Sequence, residues 1–288
     1  MLNRRQLLIS LAATALPASG HSAQGLRVAA IDWAMLETSI ALGVMPIAAT
    51  ELLQFRQDAV EPVVPNSVAD LGLRGSPNFE YLVRLKPDLI LSSPFYARQK
   101  AALERIAPVL SLPFYVKGEG PLAKAIDAVS ILGARLGRQK EAQRVLADRE
   151  ETVRSMKALL APFSKRATYL INIGDARHFR AFGSDSMFGD TMAALGLSNA
   201  WTDRSRYTFA APVPLEALAA RPDARIVVVS DVPVEARNSL HESRIWRSLE
   251  PVKRSRVHYL ANINPYGGIE ASLRFARLFT NALTAGEP

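Results

Sequence analysis

Short apolar segments alternate with helical patterns along most of the chain. The segments predicted as strands cover residues 26–31, 88–91, 109–112, 165–173, 225–230 and 256–260. Helices are predicted over residues 33–42, which Gly43 follows, and over residues 270–283, where apolar positions recur at a helical period. Strands that alternate with helices predict an α/β fold.

The longest helical pattern lies between the two groups of strands, from about residue 121 to residue 160. Its apolar positions recur about every 3.6 residues, and no proline interrupts it between Pro121 and Pro162. Gly137 marks one possible break. We therefore predict two Rossmann-like α/β lobes joined by one long connecting helix. The predicted boundaries are residues 24–120 for the first lobe, 121–162 for the connector and 163–288 for the second lobe.

Two segments recur in the same order in both halves of the chain. The sequence ALGV at 41–44 returns as ALGL at 194–197. Later, a succession of Glu-x-Leu, Pro-Asp and an apolar strand starts at Glu80 and returns at Glu216. Helix, Pro-Asp and strand often follow one another in α/β proteins, so coincidence is an alternative. The matching order favours two related lobes.

Glu80 and Glu216 each stand near the predicted start of a short helix. A carboxylate at that position is stabilised by the free N–H groups and the dipole of the helix, which is a sufficient explanation for both residues. The alternative is a docking role, in which two equivalent exposed carboxylates, one on each lobe, meet arginines of a partner protein.

The first residues follow the order of an export signal. Two arginines precede an apolar run over residues 7–16, and small residues follow it up to Ala23. The run is too short to span a membrane, so residues 1–23 are predicted to be a cleaved signal peptide. The stretch NRRQLL at 3–8 is similar to a twin-arginine signal, and an ordinary secretory signal is the alternative. Because the chain has no cysteine to carry a lipid anchor, we expect it to be free in the periplasm.

The composition is that of a globular protein, with 49% hydrophobic and 22% charged residues among 288. The net charge of +8 is spread along the chain, without a basic cluster interleaved with aromatic residues. Binding of nucleic acid is therefore not expected. We interpret the excess charge as a solvated surface, with attraction of an anionic ligand or a membrane surface as the alternative.

Sequence signatures of catalysis and of metal binding are missing. The four histidines, at positions 21, 178, 241 and 258, have no second histidine or carboxylate at metal-ligand spacing. The chain has no Gly-x-Ser-x-Gly, Walker A or Gly-x-Gly-x-x-Gly motif, and GSDS at 183–186 is interpreted as a turn and helix cap. These features favour a binding protein over an enzyme, with an exported α/β enzyme of unusual site as the remote alternative.

Several stretches carry a resemblance to a known family. They are RHFRAFGSDSMF at 177–188 with LGLSNAW at 195–201, LGLR at 71–74 with PNFE at 77–80, and PYGG at 265–268. Together they resemble the periplasmic ferric-hydroxamate siderophore-binding proteins of ABC importers, which belong to the class III family of iron-complex and vitamin B12 binding proteins. The resemblance implies two lobes joined by one long helix, a ligand cleft between them and small hinge motions.

The resemblance also implies which residues contact the ligand. It places Arg74 and Tyr96 on the first lobe and Tyr266 on the facing wall of the second lobe. It adds a group of aromatic contacts in one loop region, namely Trp201, Tyr207 and Phe209. Core packing explains Trp201 equally well. The chain departs from the family pattern at Thr208 and Asn264, where tryptophans are expected, and this leaves the size of the ligand open.

These residues suit the chemistry of a ferric trihydroxamate, in which the chelator fills the coordination shell of the iron. The protein then needs neither a metal ligand nor a cofactor of its own. Arg74 can bridge adjacent hydroxamate oxygens with its planar fork of donors, and Tyr96 can add a phenol hydrogen bond. The implied partners are the ferric siderophore and an inner-membrane ABC permease, which Glu80 and Glu216 would contact. We expect the protein to be a monomer.

Other cargoes of the same fold stay open, namely haem, a cobalamin, or a citrate or catecholate siderophore. Haem would require an axial ligand such as Tyr96 or Tyr266. A ferric tricatecholate carries several negative charges and would require converging cations, for which Arg177 and Arg180 are candidates.

Overall fold

The computed structural model describes residues 25–203 and 212–285, which form two α/β lobes. The strands are β1 (Val28–Ala30), β2 (Ala48–Ala49), β3 (Ala69–Asp70), β4 (Leu89–Ser92), β5 (Val109–Ser111), β6 (Thr168–Ile173), β7 (His178–Ala181), β8 (Val213–Pro214), β9 (Arg225–Val229) and β10 (Val257–Leu260). The first sheet is parallel, with the order β3-β2-β1-β4-β5. The second has the order β10-β9-β6-β7-β8, and β7 runs antiparallel to both of its neighbours.

Helices connect the strands and join the lobes. They are α1 (Trp33–Ala41), α2 (Leu52–Asp58), α3 (Phe79–Leu85), α4 (Ala97–Glu104), α5 (Leu122–Leu136), α6 (Gln139–Leu160), α7 (Met187–Ala194), α8 (Val234–Glu242), α9 (Arg244–Ser248), α10 (Glu250–Lys253) and α11 (Ile269–Thr284). Short 3-10 turns occupy Pro94–Tyr96, Ala161–Phe163 and Leu215–Ala220. Among the described residues, no helix combines the length and apolar character that crossing a bilayer requires.

The six apolar segments predicted as strands each contain one, and the two-lobed α/β fold is confirmed. The strands that the pattern did not indicate are β2, β3, β7 and β8. Three of them, β2, β3 and β8, are two residues long, which is too short to show a period of two.

The two sheets have the same strand order, which supports the predicted relationship between the two halves of the chain. Read outward from β1 and from β6, the strand orders correspond one to one. The helices that carry the repeated sequence also end alike. Gly43 and Gly196 both adopt a left-handed backbone, with φ of 76° and 83°, and each donates its N–H to the carbonyl three residues before it.

The connecting region is helical, as predicted, but two helices occupy it instead of a single run. The chain turns at Gly137, whose φ of 67° ends α5, and α6 starts two residues later. The helices pack closely where Gly133 meets Ala142, since a Cβ on Gly133 would come within 2.7 Å of the Ala142 side chain. The second helix of the pair, α6, has 22 residues and carries the chain into the second lobe.

The lobes share an apolar core at the base of the cleft. One hydrophobic cluster includes buried residues from both sheets and from α1, α5, α7 and α11. A row of aromatic rings runs through it, with Phe188 stacked on Phe275 at 5.0 Å and Phe275 stacked on Phe279 at 5.2 Å. A continuous packed core of this kind restricts how far the lobes can rotate against each other.

Two carboxyl groups cap helices outside the lobe that contains them. Glu37 of α1 accepts hydrogen bonds from the backbone N–H groups of Gly268 (2.7 Å) and Ala271 (3.3 Å) at the start of α11. Asp190 of α7 accepts one from the backbone N–H of Leu122 (2.8 Å) at the start of α5. Each carboxylate precedes the left-handed glycine of its own helix by six residues, so the two are equivalent positions of the repeat. The equivalent carboxyl groups therefore fasten the first lobe to α11 and the second lobe to α5 of the connector.

Candidate ligand-binding site

The carboxyl ends of the parallel strands of the first sheet lie at one edge, where α/β proteins bind ligands. Asp32 and Trp33 follow β1, Glu51 follows β2, Arg74 lies on the loop after β3, and Tyr96 follows β4. These five side chains lie in the connections that follow β1, β2, β3 and β4, and we refer to them as the first-lobe wall.

Arg74 is held in place by its neighbours and is not a freely solvated loop residue. Its Nε lies 2.6 Å from Oε2 of Glu51, and its backbone N–H donates to Oε1 of the same residue at 3.0 Å. The guanidinium carbon lies 3.8 Å from the centre of the Trp33 ring. The side chain keeps 25% of its surface exposed, so the terminal nitrogens can still donate to a ligand.

Tyr96 lies next to Arg74 in a 3-10 turn and is buried except for 5% of its surface. Burial raises its pKa, the negative charge of Asp32 adds to this, and Arg74, which hydrogen-bonds the phenol, opposes it. The neighbouring Phe95 packs edge-on against Tyr96 at 5.1 Å and is 85% exposed. The phenol therefore stays protonated, and an apolar ring stands beside it.

Asp32 is the member of this wall that lies at the start of α1. It caps α1 by accepting hydrogen bonds from the backbone N–H groups of Ala34 (2.8 Å) and Met35 (3.1 Å), and it also accepts one from the Ser93 hydroxyl at 2.8 Å. Burial raises the pKa of this carboxyl, while the hydrogen bonds and Arg74 oppose the rise.

Tyr266 lies in the loop after β10 and contacts the first lobe. Its ring packs edge-on against Tyr115 of the first lobe at 5.9 Å, and the Tyr115 hydroxyl donates to the carbonyl of Gly267 at 2.6 Å. Burial raises the pKa of Tyr266, and the charges of Arg180 in its own lobe and Arg74 in the opposite lobe both oppose the rise. Arg74 and Tyr266 therefore lie within electrostatic reach of each other, although they belong to different lobes.

Trp201 lies at the edge of the second-lobe core. It is partly buried and meets Phe179 edge-on at 5.8 Å. Its buried indole nitrogen has no hydrogen-bond partner among residues 25–203 and 212–285. Tyr207 and Phe209, together with Thr208, lie outside the described residues. The structure thus gives Trp201 a packing role and leaves its ligand role a prediction.

A family model described as periplasmic binding protein matches residues 28–263. The chain belongs to this family. The iron(3+)-hydroxamate-binding protein FhuD of Escherichia coli K12 is 28% identical over 288 residues, which cover 98% of this chain and 97% of that protein. The Fe(3+)-citrate-binding protein YfmC of Bacillus subtilis 168 is 25% identical over 240 residues, or 81% of this chain and 72% of that protein.

A solved crystal structure also matches this chain over nearly the whole fold. The crystal structure of the Fe3+-Desferal-bound siderophore-binding protein FhuD from Vibrio cholerae matches with a TM-score of 0.85 at 27% identity. The match covers 91% of this chain and 99% of that chain.

In this periplasmic binding protein, Glu80 and Glu216 occupy equivalent places in the two lobes. Glu80 is exposed in the first turn of α3, between β3 and β4. Glu216 is exposed in the first turn of the 3-10 helix between β8 and β9. The prediction that each starts a short helix is confirmed, although the second helix is 3-10 and not α.

Asn264, one of the two positions where the chain departs from the family pattern, has a structural role. It is buried and donates a hydrogen bond to Oε1 of Glu37 at 2.7 Å, while its own carbonyl accepts from the backbone N–H of Tyr266 at 3.0 Å. The amide therefore links the cross-lobe cap to the loop that carries Tyr266.

Sequence reasoning missed several members of the site, among them Trp33, Glu51 and Tyr115. Asp32 has a recognisable local signal, because an aspartate directly between a strand and a helix is a typical N-cap. Glu51 and Tyr115 have no such signal, since their partners lie far away along the chain.

Proposed function

We propose that this protein captures a ferric hydroxamate siderophore in the cleft between its lobes and delivers it to an inner-membrane ABC transporter. The observation that carries the proposal is the proximity of three residues, because Arg74 hydrogen-bonds the Tyr96 phenol and lies within electrostatic reach of Tyr266. The similarity to hydroxamate-binding relatives over almost the full chain supports the same cargo.

The chemistry of the walls suits a saturated iron complex. Hydroxamate oxygens around the iron are hydrogen-bond acceptors, and the first-lobe wall offers the terminal N–H groups of Arg74 and a protonated phenol. Exposed or half-exposed aromatic rings, Phe95 and Tyr266, offer apolar surface for the chelator arms. The iron enters as part of the cargo and needs no protein ligand.

We further infer that Glu80 and Glu216 are the docking residues for the permease. They are exposed, one per lobe, and equivalent in the repeat, so a partner with two matching basic patches would recognise both lobes at once. We also propose that residues 1–23 direct export to the periplasm, by the twin-arginine route, and that the mature protein acts as a monomer.

The test is a titration of the mature protein with ferrichrome, a ferric trihydroxamate, followed by tryptophan fluorescence. We expect saturable quenching by ferrichrome. Replacing Arg74 by alanine removes a charge-assisted hydrogen bond and should weaken binding by about tenfold to a hundredfold. Arg74→Lys is the matched control, because it keeps the charge but not the planar fork.

The result decides between cargoes. Unchanged affinity in both variants would show that Arg74 does not contact the chelate. Absence of ferrichrome binding, together with a Soret band after incubation with haemin or with quenching by ferric citrate, would replace the hydroxamate by that cargo.

A further inference from the structure

Glu51 has an unusual backbone for a residue with a side chain. It follows β2 with a left-handed φ of 51°, a conformation that costs energy for any residue except glycine. Its backbone N–H donates to the carbonyl of Gly72 at 2.8 Å, which ties it to the loop that carries Arg74. A strained glutamate beside a ligand cleft indicates that its side chain has a task there.

That task is not to cap its own helix. Glu51 precedes α2 but makes no side-chain cap, and the backbone N–H of Leu52 donates instead to Oδ2 of Asp70 at 3.0 Å. Both carboxylate oxygens of Glu51 are directed to Arg74, one to Nε at 2.6 Å and one to the backbone N–H at 3.0 Å. Within the part of the chain that the structure describes, the hydrogen bonds of the Glu51 carboxylate go to Arg74.

Glu51 also balances the charge of the first-lobe wall. Arg74 contributes one positive charge, Glu51 lies in direct contact with it, and the carboxyl of Asp32 is within electrostatic reach of the same arginine. The Glu51 side chain is only 19% exposed, so water screens it weakly. This wall thus offers hydrogen-bond donors without a net positive field.

We propose that Glu51 is a specificity-determining residue, which orients Arg74 and cancels its charge so that the first-lobe wall favours an electrically neutral ferric chelate over an anionic one. The inference rests on the proposed function, because it assigns the charge of the cargo at the same site. A neutral ferric trihydroxamate can accept the Arg74 donors without opposing Glu51. A trianionic ferric tricatecholate would bring its negative charge next to the Glu51 carboxylate.

The experiment compares wild type with Glu51→Gln and Glu51→Gly. Glutamine removes the charge at nearly constant size, and glycine removes the carboxylate while relieving the left-handed backbone, so the second variant is expected to stay folded. Each protein is titrated with ferrichrome and with ferric enterobactin, a trianionic tricatecholate. Glu104→Gln is the control, because Glu104 is an exposed residue of α4 paired with Lys100.

We expect wild type to prefer ferrichrome, and both Glu51 variants to shift the ratio of the two affinities by about tenfold or more toward the tricatecholate. The shift should shrink as salt is added, because it is electrostatic. The Glu104 variant should keep the wild-type ratio.

Three other results have distinct meanings. If wild type binds ferrichrome and the Glu51 variants keep its affinity ratio, the inference fails while the proposed function stands. If wild type prefers the tricatecholate and the variants increase that preference, the cargo assignment fails while the role of Glu51 stands. Equal weakening of both ligands would also overturn the inference, since it would mean that Glu51 only positions Arg74.

Discussion

Glu37, the carboxylate that caps α11 from the opposite lobe, carries a strong prediction for stability against pH. It is fully buried, and burial raises its pKa from 4.5 to about 8, although the hydrogen bonds from Asn264 and Gly268 oppose the rise. The nearby carboxyl of Glu270 raises it further. The unfolded chain exposes Glu37 to water, where it titrates near its ordinary value.

The sign follows from proton linkage. Between pH 4.5 and about 8, the folded protein keeps a proton on Glu37 that the unfolded chain has released. The free energy of unfolding therefore falls as the pH rises, by about 1.4 kcal/mol per pH unit. From about pH 5.5 to about pH 7.5, Glu37 alone should lower the stability of the wild type by about 2.5 kcal/mol.

Glu37→Gln isolates this effect, because glutamine has nearly the same size and does not titrate. The assay is urea unfolding at several pH values in that interval, followed by tryptophan fluorescence and circular dichroism. Equal slopes against urea in the two proteins are the control that the same surface is exposed on unfolding. We expect the difference in stability between them to change by about 2.5 kcal/mol across the interval. A difference that stays constant within about 0.5 kcal/mol would refute a buried titrating role for Glu37.

Three further predictions concern the caps, the packing and the docking residues. Asp190→Ala removes the cap on α5 and should lower the free energy of unfolding in urea by about 1 kcal/mol. An unchanged urea midpoint would contradict the capping role. Gly267→Ala would place a Cβ within 2.5 Å and 2.6 Å of the Glu37 carboxylate oxygens, and should lower the free energy of unfolding by about 1–3 kcal/mol. Gly174→Ala is the control, because a Cβ at that position would have no atom within 4 Å. The double substitution Glu80→Ala, Glu216→Ala should leave ferrichrome affinity unchanged and abolish siderophore uptake by cells; normal uptake would rule out the docking role.

Part of the site was predictable from the sequence because the end of a strand is recognised from a few neighbouring residues. A residue just after a parallel strand lies at the binding edge whatever the rest of the chain does, and Tyr96 has such a position. Arg74 and Tyr266 were predicted from the resemblance alone. The structure puts these two residues within electrostatic reach of each other, which the order of residues along the chain does not specify.

Other features were not predictable because their partners are distant along the chain. In the sequence, Glu51 is an ordinary polar residue before a helix. Only the fold brings the loop with Arg74 into contact with it. In the sequence, Glu37 is a charged residue within a helical pattern. Only the packing of the two lobes buries it against the start of α11. The helical connector is a further example. The period of its apolar residues predicts helix, but it does not predict whether the chain turns at Gly137.

From the sequence we could predict the two α/β halves, their repeat, a helical connector and the ends of the strands. These depend on apolar periodicity and backbone preferences, which act over a few residues. The pairing of each carboxyl group with a cation or a helix end emerges only in the folded protein, because buried polar and charged groups need partners that the chain supplies from far away. Glu51 with Arg74, and Glu37 with α11, are pairs of that kind.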